Sequence, residues 1–351
     1  MKIGKIKIGL NNKPCIIAEI SGNHNKKLKN ALKLVEVAAQ SGADIVKLQT
    51  YTPDTITLKS SRKEFLIKDK KSLWKNQNLY NLFKKGFTPW EWHPAIFKKA
   101  KKLGILCFSS VFDETSVDFL EELNVPAYKI ASFESNHYPL IKKVIKTKKP
   151  LIISVGLSSL KEIKELVKFL KKNKCSNFAL LKCTSAYPAS PTDANVNTIE
   201  DMRKKFNCEV GLSDHTLGIG ASIAAVSNKA TIIEKHITLN RNANGVDDKF
   251  SLEPNELKSL VKESNTAWLS LGKVFYGPTK NEINSLQFRR SIYCSKDIKK
   301  GEKFTKSNIK IIRPSLQQEV FYVSGFGGGI KKKYCSTLKF EVNFLSRLLF
   351  E

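Results

Sequence analysis

The stretch LIISVGLSSLKEIKELVKFLKKNKCSNFALL, residues 151–181, decides the fold class. It begins with a short apolar run at 151–155, continues with apolar residues at helical spacing over 160–170, and ends with a second apolar run at 178–181. Short apolar runs of this kind are typical of buried strands, and the spacing between them is typical of an amphipathic helix. A strand, a helix and a strand in this order indicate two parallel strands joined by a crossover helix.

The same unit recurs along most of the chain. Strands are predicted at 15–20, 43–48, 105–108, 127–131, 151–155, 178–181, 210–212 and 231–233. Helices are predicted between them at 28–39, 96–103, 160–170 and 219–226, and a further helix at 254–271. Eight such units favour an α/β fold closed into a (β/α)8 barrel, the TIM barrel, over an open sheet.

The chain is longer than a barrel alone requires. It has 351 residues, whereas a TIM barrel needs roughly 250. Gly272, Gly277 and Pro278 break the last helical pattern, and short β-like runs follow at 291–294 and 308–312. We therefore expect a barrel domain over 1–280, with a surface excursion at 53–91, and a small β-rich domain over 281–351.

The chain is strongly basic, with 60 lysine and arginine residues against 32 aspartate and glutamate residues and a formal net charge of +28. Such an excess suggests nucleic acid, a membrane surface or an anionic substrate. Many lysines, such as Lys98 and Lys102, have the spacing of a solvent-facing helix surface, and no continuous basic tail is present. We expect neither a nucleic acid nor a membrane partner, although a nucleic-acid-binding protein stays as an alternative.

Seven cysteines, none at C-x-x-C spacing, indicate reduced thiols and not a disulfide framework or a zinc site. The N-terminus lacks an apolar core long enough for a signal peptide, and no stretch is long enough to cross a membrane. These observations predict a cytoplasmic protein.

Polar side chains stand at the end of each predicted strand. They are Glu19, Lys47, Gln49, Ser109, Ser110, Lys129, Ser132, Glu134, Ser154, Lys182, Thr184, Ser185, Ser213, His215, Glu234 and His236. In a parallel barrel these ends meet at the carboxyl-terminal mouth, where barrel enzymes carry their active sites. Because each buried polar group without a partner costs about 1–3 kcal/mol, a ring of them indicates a binding site.

Two residue types in this ring suggest specific chemistry. His215 and His236 come from adjacent strands, and two imidazoles with open positions suit a first-row divalent metal. Lys47, Lys129 and Lys182 supply positive charge beside serine hydroxyls, which is the combination that a phosphate with a neighbouring carboxylate requires. A barrel lysine that forms a Schiff base, Lys129 or Lys182, is the alternative.

Several segments resemble the sialic acid synthase family. They are AEISGNHN (18–25), KLQTYTPDT (47–55), FTPWEWH (87–93), PAYKIASFES (126–135), KCTSAYP (182–188), GLSDHTLGIG (211–220) and EKHITL (234–239). The forms SGNHN and TPWEWH are most similar to the branch of that family that makes pseudaminic acid. The match runs over about residues 13–314.

The resemblance implies a barrel that condenses phosphoenolpyruvate with an N-acetylated amino sugar, followed by an antifreeze-like (SAF) domain. The implied partner is a second copy, in a homodimer whose small domains cap the neighbouring active sites. The implied reaction joins phosphoenolpyruvate to 2,4-diacetamido-2,4,6-trideoxy-L-altrose by C–O cleavage and releases phosphate. Synthesis of N-acetylneuraminate or legionaminate is the alternative within the family.

The resemblance also assigns roles by motif position. His215 and His236 are implied to bind Mn²⁺, with Mg²⁺ or Co²⁺ as alternatives. The residues implied to hold phosphoenolpyruvate are Lys47, Ser110, Lys129, Ser132, Ser154, Ser185 and Ser213, with Lys182 and Thr184 beside them. The residues implied to act on the sugar or the reacting water are Glu19, Gln49, Glu134, Tyr187 and Asp247, with Asn23 at the mouth. Arg313 is implied to reach an acyl-amino group of the sugar across the dimer.

Two positions depart from the family pattern. Val111 stands where related synthases often have proline, and residues 321–351 do not match the usual ending of the small domain. The second departure bears on the placement of Arg313, which depends on a complete small domain.

Overall fold

The computed structural model describes residues 1–299 and 301–315. The chain divides into two compact units, and the boundary between them along the chain lies between Gly272 and Lys273. This division falls at the first of the glycines that interrupt the helical pattern in the sequence.

The first unit is a closed barrel of eight parallel strands, which confirms the predicted fold. The strands are β3 (Cys15–Glu19), β4 (Ile45–Thr50), β5 (Leu106–Val111), β6 (Tyr128–Ile130), β7 (Leu151–Ser154), β8 (Phe178–Cys183), β9 (Glu209–Asp214) and β10 (Ile232–His236). Each strand pairs with the next along the chain, and β10 pairs with β3 to close the ring. Strands buried on both faces read as near-continuous apolar runs, which is why the sequence located all eight.

Close packing between two of these strands depends on a glycine. A Cβ atom at Gly211 in β9 would clash with the Ile232 carbonyl oxygen in β10. Gly211 therefore lets β9 and β10, the strands that carry the two candidate metal ligands at their ends, approach closely.

Helices surround the barrel. They are α1 (Leu28–Gln40), α2 (Pro53–Ile56), α3 (Leu79–Gly86), α4 (His93–Lys102), α5 (Glu114–Glu122), α6 (Tyr138–Lys146), α7 (Leu160–Lys172), α8 (Thr198–Phe206), α9 (Gly220–Ser227) and α10 (Pro254–Leu271). The helix α7 shows why they form where they do. Ser159 and Glu162 make a capping box at its start, and Ile163, Leu166 and Leu170 form its buried stripe.

A hairpin that the sequence reasoning did not predict precedes the barrel. Its strands are β1 (Lys2–Ile3) and β2 (Ile6–Lys7), and Ile3 and Ile8 are buried in the core. The predicted excursion over 53–91 contains α2, α3 and two short 3-10 helices at Lys63–Phe65 and Trp90–Trp92.

The described part of the second unit contains a 3-10 helix at Lys280–Phe288 and two antiparallel strands, β11 (Ser291–Cys294) and β12 (Ile309–Ile312). Its assignment as an antifreeze-like domain over 281–351 stays a prediction. The atypical tail at 321–351 and Cys335 lie outside the described residues.

Among the described residues, the cysteines at five positions are free thiols: Cys15, Cys107, Cys175, Cys183 and Cys208. Within those same ranges, no helix has both the length and the apolar character that crossing a membrane requires.

Candidate active site

A cavity opens at the carboxyl ends of the barrel strands, at the mouth that the sequence predicts for the site. It is lined by Lys47, Gln49, Ser110, Lys129, Ala131, Ser132, Phe133, Ser154, Cys183, Tyr187, Ser213, His215, Glu234 and His236. Ten of these are residues to which the sequence assigned a role. The structure therefore brings together side chains from seven of the eight strand ends.

Two lysines and two glutamates form a buried cluster on the cavity wall. The Lys47 ammonium pairs with Glu19 and lies 3.4 Å from Glu234 Oε1. The Lys129 ammonium lies 3.8 Å from the same Glu234 oxygen. Burial disfavours all four charges, but the carboxylates hold the pKa of Lys47 above its usual value, and the two lysines hold the pKa of Glu234 below its usual value.

Serine hydroxyls extend this cluster into the cavity. Lys47 donates a hydrogen bond to Ser110 Oγ (2.8 Å), and Lys129 donates one to Ser154 Oγ (2.7 Å). Burial lowers the pKa of Lys129, and the neighbouring Lys47 adds to that effect while Glu234 opposes it. The arrangement gives two ammonium groups and directional hydroxyls in a buried site, where charged groups interact more strongly with an anion than they do in water.

The two histidines lie side by side. Their ring centroids are 5.3 Å apart. The Nδ1 of His215 is 2.9 Å from the Thr184 carbonyl oxygen. Because a carbonyl only accepts, Nδ1 is the donor, and in the neutral ring the lone pair is then on Nε2. The Nδ1 of His236 is buried without a hydrogen-bond partner, and burial beside His215 lowers the pKa of His236 well below its usual value.

Glu134 and Asp247 stand near the cavity without lining it. Glu134 Oε2 is buried and has no hydrogen-bond partner, and burial raises the pKa of Glu134 to about 7. Burial also raises the pKa of Asp247 to about 6, although Ser21 donates a hydrogen bond to its carboxylate. Asp247 Oδ2 is 3.6 Å from His236 Nδ1.

Asn23 holds backbone in place instead of lining the cavity. Its side-chain amide donates to the Ile237 carbonyl (2.9 Å) and to Ser251 Oγ (2.8 Å), and its Oδ1 accepts from the Asp247 amide (3.1 Å). Asn23 therefore positions the segment that carries Asp247.

The loops after β6, β7 and β8 converge at Gly156. Its amide donates to Ser132 Oγ (3.1 Å), and a Cβ added there would lie 2.5 Å from Ser185 Oγ. Ser185 thus lies next to the cavity, although it is not part of its lining.

Other predicted residues lie away from the lining. The Lys182 ammonium bonds the Cys183 carbonyl (3.1 Å) and Thr184 Oγ1 (3.3 Å), and that hydroxyl donates to the Asp193 carbonyl (2.9 Å). Arg313 is exposed in the second unit, and its reach across a dimer stays a prediction.

Two further histidines are buried and serve packing. His93 bonds Thr50 Oγ1 through Nε2 (2.8 Å), and His24 contacts Thr88 Oγ1 (3.2 Å). His24 follows Asn23 at the mouth of the first barrel strand, a position that suggests a role in orienting substrate, but neither histidine lines the cavity.

Cys183 and Glu234 line the cavity, but the sequence reasoning gave them no specific role. Cys183 Sγ lies 3.8 Å from His215 Nδ1. Burial would raise the pKa of this thiol, but His215 and Ser132 lower it to about 7. For Glu234, the signal in the sequence was its period-two spacing from His236.

The fold and the cavity together define a barrel enzyme class with a cationic, histidine-bearing site at the strand ends. Residues 34–276 match the model of the NeuB family. The chain is 42% identical to the pseudaminic acid synthase of Campylobacter jejuni subsp. jejuni serotype O:23/36, covering 90% of this chain and 91% of that protein. It is 38% identical to the N,N'-diacetyllegionaminic acid synthase of Campylobacter jejuni subsp. jejuni serotype O:2, covering 92% and 96% of the two chains.

A solved structure of a related synthetase supports the same family assignment. The N-acetylneuraminic acid synthetase of Leptospira borgpetersenii serovar Hardjo-bovis, crystallised with citrate, is 33% identical and superimposes with a TM-score of 0.72. The alignment covers 82% of this chain and 95% of that one. The chain belongs to the NeuB family.

Proposed function

We propose that this protein is a pseudaminic acid synthase. It would condense phosphoenolpyruvate, 2,4-diacetamido-2,4,6-trideoxy-L-altrose and water into pseudaminic acid and phosphate. The identity to a pseudaminic acid synthase over 90% of the chain supports the choice of branch. The observation that carries the chemistry is that two buried lysines and two adjacent imidazoles line one cavity.

The cationic side of the cavity suits phosphoenolpyruvate. Lys47 and Lys129 supply charge that offsets the phosphate and the carboxylate of this substrate. Ser110 and Ser154 already accept hydrogen bonds from these lysines, and Ser132 and Ser213 line the same cavity. Burial makes each of these interactions stronger than it is in water.

The histidine pair fits a divalent metal ion. Both rings are buried. His215 Nδ1 bonds the Thr184 carbonyl oxygen, whereas His236 Nδ1 is buried without a hydrogen-bond partner. His215 and His236 would be its protein ligands, and no group of three or more histidine, cysteine or acidic side chains that could hold a metal occurs among residues 1–299 and 301–315. A bound Mn²⁺, or Mg²⁺ or Co²⁺ in its place, supplies Lewis-acid polarisation of the sugar aldehyde.

After C3 of phosphoenolpyruvate has attacked the C1 aldehyde of the sugar, water must add to C2 of the phosphoenolpyruvate part. Glu134 is a better candidate than Glu19 for directing this water. Glu19 is already paired with the Lys47 ammonium, whereas Glu134 has a free buried oxygen and a pKa of about 7. A carboxylate with a pKa near the working pH is suited to take a proton from water. Loss of phosphate by C–O cleavage then completes the reaction.

We propose that three further side chains contact the sugar substrate: Gln49, Tyr187 and Asp247. Gln49 and Tyr187 line the cavity, and Asp247 lies beside His236. We further propose a homodimer in which Arg313 of the partner subunit contacts the acyl-amino group. We propose the cytoplasm as its location, where reduced thiols persist.

The test is phosphate release from purified protein, Mn²⁺ and phosphoenolpyruvate with a panel of N-acetylated sugars. We expect the altrose derivative to give the highest kcat/KM. A higher value with the legionaminate or N-acetylneuraminate precursor would move the protein to that branch. Activity that persists in EDTA, together with borohydride trapping at Lys129, would instead support a Schiff-base aldolase.

A further inference from the structure

The strands β9 and β10 each carry a buried charged residue directly before a candidate metal ligand. Asp214 precedes His215, and Lys235 precedes His236. Side chains alternate along a strand, so these two charges lie on the opposite face from the cavity. They pair with each other at 2.8 Å, and their side chains are 1% and 0% exposed.

The ammonium of Lys235 bonds both neighbours of His215, the side chain of one and the backbone of the other. It donates to Asp214 Oδ2 (2.8 Å) and to the Thr216 carbonyl oxygen (2.6 Å). Asp214 in turn accepts from the Thr216 amide (2.8 Å) and from Ser222 Oγ in α9 (2.6 Å). One buried group on β10 therefore fixes both neighbours of His215.

The β9–β10 ladder ends before His215, and the backbone bond that His215 does make runs to the other side, from the Ala189 amide to the His215 carbonyl oxygen (3.0 Å). The ladder between β9 and β10 has its last registered pair at Asp214 and Lys235. His215 follows that pair, and the Thr184 carbonyl orients its ring from the end of β8. The side-chain bonds of Asp214 and Lys235 thus continue the connection between β9 and β10 past the point where the ladder ends.

Stability alone does not account for a pair of this kind. Taking two charges out of water is costly for each of them, and apolar side chains of similar volume often give equal or greater stability. A fully bonded polar pair instead fixes one geometry, because any other arrangement leaves a buried charge without its partner.

We propose that the Asp214–Lys235 pair is a positioning device that sets the spacing of the two imidazoles and thereby the affinity for a divalent ion. This inference rests on the proposed function, since the metal is part of it. Mutation of a residue that orients a metal ligand without contacting the metal typically lowers metal affinity by about 10–100-fold.

The test uses a double variant, Asp214→Asn with Lys235→Met. Each single change strands a buried charge, whereas the double variant is neutral, and the asparagine side chain keeps an oxygen for the Thr216 amide. The matched control is Glu209→Gln, which weakens a second ion pair at the opposite end of β9, between Glu209 and Arg203 (2.9 Å).

Two readouts are needed for each protein: unfolding by urea, and Mn²⁺ binding by electron paramagnetic resonance. We expect both variants to stay folded, the double variant to bind Mn²⁺ about tenfold or more weakly than the unmodified protein, and the control to bind it unchanged. Unchanged Mn²⁺ affinity in the folded double variant would overturn the inference.

A metal-free readout separates this inference from the proposed function. With ¹⁵N-labelled histidine, the ring signals of His215 and His236 should shift or broaden in the double variant and not in Glu209→Gln. If the unmodified protein binds no Mn²⁺, the metal part of the proposed function fails, and these signals alone decide the positioning role. Ring signals that match the unmodified protein would then refute it.

Discussion

Replacing Glu134 by glutamine should stabilise the protein at alkaline pH while it impairs the reaction. The Glu134 carboxylate has a buried oxygen without a partner, and burial raises the pKa of this group from 4.5 to about 7. Between these values the folded state keeps a proton that the unfolded state has released. The free energy of unfolding therefore falls as pH rises through this window, and it carries the full penalty above pH 7.

The size of the effect follows from the pKa. A rise from 4.5 to about 7 corresponds to about 3 kcal/mol at about 1.4 kcal/mol per pH unit. Because the side chain is only half-buried, solvent screening reduces the expected value to about 2 kcal/mol. Glutamine has the same shape and no charge, so Glu134→Gln should gain this amount at pH 8 and nothing at pH 4.

Urea denaturation at pH 4, 6 and 8 measures the difference directly. The matched control is Glu162→Gln, since Glu162 is exposed and its bonds to Ser159 lower its pKa. That carboxylate contributes stability above its unfolded pKa, and the contribution is lost as pH falls, so the control should lose stability at pH 8. If Glu134→Gln has the same free energy of unfolding as the unmodified protein at pH 8, the buried Glu134 carboxylate does not destabilise the fold.

Three further changes test separate parts of the site. Gly156→Ala places a Cβ 2.5 Å from Ser185 Oγ, and we expect the KM for phosphoenolpyruvate to rise about tenfold or more; an unchanged KM would contradict the placement of this loop. Lys47→Met leaves Glu19 without its partner, so activity should be lost and urea denaturation should show destabilisation of about 3–5 kcal/mol; a stable, active variant would count against the buried cluster. His236→Asn should abolish Mn²⁺ binding in titration calorimetry, and retained binding would exclude this imidazole as a ligand.

Most of the barrel could be predicted from the sequence because its strands are buried on both faces. The apolar runs at 151–155 and 178–181 correspond to β7 and β8 within two residues. The hairpin of β1 and β2 was not predicted because each strand has only two residues and gives too short a pattern. The alternation of lysine and isoleucine there was the available signal.

The site was harder to predict than the fold, because it depends on register between strands. Side chains alternate along a strand, which predicts that Lys47 and Gln49 share one face of β4, and both line the cavity. For β8 the sequence favoured Lys182, yet Cys183 lines the cavity because it pairs with Ser213 in β9. The register between neighbouring strands decides which residues of a strand face the cavity, and the sequence of one strand does not reveal that register.

Tertiary contacts account for the other differences. Asn23 follows the first barrel strand, so its position predicted a substrate contact. Its bonds instead go to Ile237, Asp247 and Ser251, more than 200 residues away along the chain. A side chain that bonds so distant a segment cannot be recognised from its own neighbours in the sequence.

The bridging oxygen of phosphoenolpyruvate gives the most direct test of the central claim, that the lysines and imidazoles of this cavity serve a condensation with C–O cleavage. Phosphoenolpyruvate labelled with ¹⁸O at that position is incubated with the protein, Mn²⁺ and the altrose derivative, and the masses of both products are measured by mass spectrometry. We expect the label to leave with phosphate. Label retained in the sugar acid would contradict it.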